Sequence, residues 1–260
     1  MRTSFSLTGK LAKKAAVFIF WIGVWQTIYL IVGKDILVAS PIDVARRIVV
    51  LSAHADFWIN ISNSLLHIML GFFIAIVLGI VFAAISFRFG FVRDAMSGIV
   101  NVIKATPVAS FILLALVFIK VSRLSIFTSF LMTFPIIWTN TLEGLGQADG
   151  NLLEMAKMFK LSRKIRFVHI YFPSLLPYLV SACKIGIGFA WKSGIAAEVL
   201  ARPVSTIGKS LYESKIYLET LDLFAWTVVI IILSMALERL FMFLMNVIFG
   251  KYYKGTEVGK

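Results

Sequence analysis

Charge and cysteine are scarce in this chain. Only 15% of its 260 residues are charged, 60% are hydrophobic, and the mean hydropathy is +0.92. A water-soluble domain of this length needs a far more polar surface, so lipid must replace water around most of the molecule. The single cysteine, Cys183, rules out an intramolecular disulfide and a cysteine-built metal site. Three histidines, His54, His67 and His169, lie far apart without metal-ligand spacing. There is no Gly-x-Ser-x-Gly, no pair of aspartates and no intramembrane His-Glu-His arrangement, which argues against an intramembrane enzyme. Nor is there a G-x-x-x-x-G-K-[ST] phosphate loop, so the chain brings no nucleotide site of its own.

What is present is apolar sequence in long runs. A bilayer core of about 30 Å needs ~20 mostly apolar helical residues. Six segments meet that length: Ala15–Val32, Leu65–Phe87, Ile99–Ile119, Ser125–Leu142, Ser174–Leu200 and Leu221–Leu240. Pleated alternation is missing, so the expected class is all-α with six membrane helices in one domain, 1–260. The basic stretch before the first run resembles a signal peptide, but Trp21, Trp25 and Tyr29 stand where a small-residue cleavage site belongs. That run is expected to be retained as a span. Glu238 and Arg239 interrupt the last run and are expected at the membrane surface, with Phe241–Phe249 continuing as an interfacial helix. Pro107 and Pro135 fall in or beside spans and are candidates for kinks.

The net charge of +13 is not that of a nucleic-acid binder, because the basic residues cluster at the borders of apolar runs. Fourteen of the 26 lysines and arginines fall in segments that face inward if the N-terminus is inside, and eight in the outward segments. This bias predicts a multi-pass protein with both termini in the cytoplasm.

The longest inward loop, 143–173, is too long for a simple helix connection. Asp149 or Asn151 can cap a short helix through Phe159, with Leu152, Leu153, Met155, Met158 and Phe159 as its apolar face. Ser162 can cap a second helix that runs through Pro173 into the fifth span. Such a loop suits docking to a partner or lying on membrane lipid.

Within it, Glu154, Met155 and Ala156, a basic helix, and then Ile170, Phe172 and Pro173 resemble the Glu-Ala-Ala loop of ATP-binding-cassette import permeases. Met155 stands for the first Ala of that pattern, Lys160 for its Gly and Phe172 for its Leu. LVASPIDVARRIV with SLLHIMLGFFIAIVLGIVFA, VIKATPVASFILLALVF and CKIGIGFAWKSGIAAEVL are similar to the nitrate/sulfonate/taurine branch. Lys104, Pro107, Lys184, Trp191 and Glu198 occupy matching places there.

The resemblance implies a type I importer permease fold in the bacterial inner membrane, one of a permease pair, with two ATPase subunits bound inside and a solute-binding protein outside. ATP would be bound by the ATPase, with no cofactor in this chain. It also implies that Glu154, Met155, Ala156, Lys160, Leu161 and Pro173 form the coupling element. The solute is expected to be a small anion such as a sulfonate, nitrate or taurine. The alternative is a neutral or cationic heterocycle such as a thiamine-precursor pyrimidine.

Three- and four-residue spacing places Ser181, Lys184, Gly188 and Lys192 on one helical face near mid-membrane. They are candidates for the translocation pathway, against a structural pairing of Lys184 with Glu198 or Asp222 or its snorkelling to an interface. Glu198 is a candidate for the pathway's outer gate, or for a simple cap of the span. Lys160, in the place of a Gly, is expected either to bear left-handed strain or to bend differently.

Overall fold

The protein is described by a computed structural model covering residues 3–256; Arg2 and Lys260, counted above among the inward charges, lie outside the described residues. Eleven α-helices and no strands are found among the described residues. In chain order they are α1 (Thr3–Val32), α2 (Pro41–Ser52), α3 (Ala55–Arg88), α4 (Gly90–Ala105), α5 (Val108–Phe118), α6 (Leu124–Gly146), α7 (Gly150–Met158), α8 (Arg163–Arg166), α9 (Phe172–Ala201), α10 (Ile207–Ile216) and α11 (Thr220–Thr256). Five of these, α1, α3, α6, α9 and α11, are long and apolar enough to cross a membrane alone.

The expected third span, Ile99–Ile119, is not one continuous helix. Thr106 and Pro107 are extended, and α4 and α5 meet there at 107°. Proline carries no N–H to continue α4, and it biases the residue before it away from the helical region. The pair still has to cross, because α3 and α6 run in the same direction. Gly71 packs at Ile126 and Ser129, Gly79 packs at Ile137, and the Trp138 indole donates to the Ser86 hydroxyl (3.2 Å). Two consecutive parallel helices need a return path between them, and α4 with α5 supplies it. Val100 lies with Ala83 and Trp138 toward one end of the bundle, and Ile112 lies with Leu124 and Ala197 at the other.

The other directions follow from side-chain pairs. Ser129 donates to Ala190 O (2.9 Å) and Thr133 to Gly186 O (3.3 Å), with Gly144 at Leu175, so α9 runs against α6. The Trp191 indole donates to Ile230 O (3.2 Å) and the rings of Phe172 and Phe249 lie 6.3 Å apart, so α11 runs against α9. Trp25 near the end of α1 stacks on Phe224 near the start of α11. With the bent pair as one crossing there are six among the described residues, and the start of α1 and end of α11 lie on the side of α7.

A second correction concerns α11. It passes Glu238 and Arg239 without a break, and Phe241 packs edge-on to Phe72 in the middle of α3 rather than lying at a membrane surface. Both charged residues are exposed on the outside of the bundle, so the helix has no reason to bend there.

The centre is a seam of small and hydroxyl residues among α3, α6 and α9. A Cβ on Gly71 would stand 2.3 Å from Ile126 O, and one on Gly194 would stand 2.5 Å from Ile68. Only glycine permits backbones this close, which lets dispersion and interhelical hydrogen bonds hold helices together where lipid supplies no hydrophobic drive. Phe72, Ile137, Trp191 and Trp226 close the core beside it.

Candidate functional site

The loop between α6 and α9 is built from local signals. Asp149 caps α7, its carboxylate accepting from Asn151 N–H (2.8 Å). Ser162 caps α8, its hydroxyl accepting from Ile165 N–H (3.3 Å). Between them the chain closes α7 with a two-bond C-terminal motif: Leu161 N–H donates to Ala156 O (2.9 Å) and Lys160 N–H to Lys157 O (3.1 Å). That motif demands a left-handed residue at its first position past the cap, and Lys160 has φ +48°. The structure therefore resolves the two expectations for Lys160 in favour of left-handed strain.

Ala156, the C3 residue of the motif, is buried, whereas Glu154, Met155 and Lys160 are exposed and Leu161 is half-buried. Met158 and Phe159 are 82% and 72% exposed and carry the apolar face outward. Glu154 sits beyond the first turn of α7, and the capping role belongs to Asp149. After α8 the chain opens into a π-helical turn, Phe167–Tyr171, ahead of Pro173 in the first turn of α9. Proline's missing N–H removes an α-type bond at this point, which favours a wider turn just before it.

On α9 the structure brings Ser181, Lys184, Gly188 and Lys192 to one face, where Ser181 and both lysines are exposed and Gly188 is half-exposed. The opposite face is buried in the seam. Neither acidic partner considered for Lys184 reaches it. Asp222 makes a two-pronged ion pair with Arg47 of α2, Arg47 Nη2 donating to Asp222 Oδ2 (2.8 Å) and Nε to Oδ1. That bond holds the Arg47 guanidinium above its usual pKa.

Glu198 stands apart from the lysines. It is fully buried, and Oε2 accepts from the Ser64 hydroxyl (2.7 Å) and Gly208 N–H (3.2 Å). Ser64 in turn accepts from Ile207 N–H (2.9 Å), so the carboxylate pins the first turn of α10 to α3 and α9. A Cβ on Gly208 would stand 2.3 Å from Glu198 Cβ, so this approach requires glycine.

Sequence reasoning missed the space at the α4–α5 break. A cavity of about 520 Å³ opens there, near the midpoints of α6 and α9. Lys104, Thr106, Thr139 and Asn140 are its polar lining, and Met132, Ile136, Ile185 and Phe189 supply apolar walls. Pro107 and Pro135 both border it, and Lys104 Nζ donates to Thr139 Oγ1 (3.1 Å). The signal was in the sequence: a lysine three residues before a proline inside an apolar run marks a broken helix beside a polar space.

A family model described as "Binding-protein-dependent transport system inner membrane component" matches residues 75–254. The "Nitrate import permease protein NrtB" of Synechocystis is 28% identical over 207 residues, covering 76% of this chain and 74% of that protein. A "Probable ABC transporter permease protein" of Brucella melitensis biotype 1 is 28% identical over 228 residues, covering 86% of this chain and 90% of that one. The "Bicarbonate transport system permease protein CmpB" of Synechocystis is 27% identical over 159 residues, covering 61% and 56%.

Proposed function

The chain belongs to the binding-protein-dependent transport system inner membrane component family, the permeases of ATP-binding-cassette importers, and on that premise we propose that it forms the path for a small anionic solute. The observation that carries this is the exposed basic face of α9, on which Lys184 and Lys192 have no acidic partner among the described residues. An ionisable group at mid-membrane is costly unless it faces protein or water, and two cations on one wet face lower the barrier for an anion. The nitrate and bicarbonate permeases among its relatives are named for anions.

In this reading two copies of the chain face each other across the pathway, with lipid around the outside. Loop 143–173 faces the cytoplasm together with both termini. Glu154, Met155, Ala156, Lys160, Leu161 and Pro173 build the element that enters an ATPase subunit, and Met158 and Phe159 are its apolar contact. ATP binding and hydrolysis belong to that subunit, and a solute-binding protein delivers the solute to the opposite mouth. Closing and opening of the ATPase pair moves α7 and α8, and α9 carries that motion across the membrane.

The test is reconstitution of this chain with its cognate ATPase and binding protein, followed by ATP-dependent uptake of nitrate, taurine or an alkanesulfonate. Uptake of an anion, with no hydrolysis by this chain alone, is the expected result. Uptake of a neutral or cationic pyrimidine and of no anion would replace this solute class with the heterocycle reading.

A further inference from the structure

At the α4–α5 break two residues, Thr106 and Pro107, are extended close to the midpoint of the bundle. Irregular backbone at membrane depth is tolerated only where protein covers it or it lines a water-filled space. The cavity beside it is that space, and its chemistry has a sign. Lys104 uses one ammonium hydrogen on Thr139, leaving two. Thr139 directs its own hydrogen to Pro135 O (2.7 Å), which leaves its oxygen to hold the ammonium in place. Asn140 spends one amide hydrogen on Ile136 O (2.8 Å) and keeps another. At the same break α5 begins; the N–H groups of Ser110 (3.1 Å) and Phe111 (3.4 Å) donate to Pro107 O, which leaves those of Val108 and Ala109 without an intrahelical acceptor. No carboxylate lines the cavity.

We propose that this cavity is a binding station for a monovalent oxyanion, held by the Lys104 ammonium with Asn140 and the start of α5 around it. It deepens the reading of this chain as an anion path and rests on it. One lysine matches one negative charge. The apolar walls of Met132, Ile136, Ile185 and Phe189 accept a weakly hydrated head or a small carbon body. Lys184, on the α9 face next to Ile185, extends the same positive field along the path.

The experiment places a reporter thiol in the wall, away from the cation: Met132→Cys with Cys183→Ala, in the full chain in membrane vesicles. An anionic methanethiosulfonate, relative to a cationic one and to a free thiol, is expected to react about tenfold faster, the effect of one nearby charge in a partly wet site. Lys104→Met should abolish the preference and Lys104→Arg should keep it. Nitrate and ethanesulfonate are the probes: protection by nitrate alone assigns an inorganic oxyanion, and protection by ethanesulfonate an organic one. Equal rates for the two reagents, a preference that survives Lys104→Met, or protection by neither anion overturns the station. Uptake is read separately in the reconstituted complex. Anion uptake without the labelling preference sinks only the station. The preference without any anion uptake sinks the transport reading.

Discussion

The two faces of α9 do opposite things with the same helix. On one, Gly186, Ala190 and Gly194 draw α3 and α6 into contact so close that a single added Cβ would collide. On the other, Ser181, Lys184, Gly188 and Lys192 are left without side-chain partners among the described residues. The first face is specified by packing, so almost any change there should act on folding. The second is exposed and basic, so in the proposed reading changes there should act on transport and leave folding alone. Small residues occur on both, and their neighbours, not their identity, decide which role they have.

The comparison breaks most visibly at the packed face. Gly194→Val is expected to destabilise by several kcal/mol, since the side chain must displace Ile68 and Ser129 in a close-packed seam. The yield of monodisperse protein in detergent, and its thermal midpoint, would show this; normal values for both would mean that the seam is looser than described. Next in size is the clamp above it. Glu198→Ala leaves Ser64 Oγ and Gly208 N–H buried without their acceptor, a loss of about 1–3 kcal/mol. Limited proteolysis at 202–206 should quicken in that variant before the whole protein unfolds.

At the open face the expected readout changes kind. Lys184→Met should leave the stability within about 0.5 kcal/mol of the parent, with an unchanged thermal midpoint, while slowing anion uptake per assembled complex several-fold. A fall in folded protein with unchanged uptake per complex would place Lys184 with the packed face. On the loop between α6 and α9, Glu154→Ala should, if this loop docks the ATPase as proposed, lower retention of the ATPase during purification without altering the thermal midpoint of the free chain. The smallest effect is Lys160→Gly, which relieves left-handed strain and should stabilise the loop by up to about 1 kcal/mol with coupling intact. Slower hydrogen exchange at Leu161 N–H would report it.

Much of this was legible in the sequence because membrane helices announce themselves by length and apolar content. Five of the six expected segments lie wholly inside single helices; Asp149, one of the two caps considered for α7, caps it, and Ser162 caps α8 as expected. The positive φ of Lys160 was one of two outcomes expected there, because a motif position can carry its backbone conformation even when another residue fills it. The misreadings have a common cause. Hydropathy sums over a window and is blind to direction, so a run holding Thr106 and Pro107 scored as one span with Pro107 as a candidate kink, not as two helices, and Glu238–Arg239 scored as an end. The burial of Glu198 depends on Ser64 and Gly208, which are distant in sequence, and no local pattern encodes that meeting.

The π-helical turn at Phe167–Tyr171 has a mechanical consequence. Arg163 to Ala201 is one unbroken rod of 39 residues, about 58 Å at 1.5 Å per residue, with the π turn near its lower end. A π turn holds one residue more than an α turn. Tightening it to α geometry would therefore screw the upper rod by about 100° and shift it by about 1.5 Å relative to α8. A rod with such a joint at its foot converts a small push on the loop into rotation at mid-membrane, swinging one face of the shaft toward or away from the opening while the shaft itself stays straight.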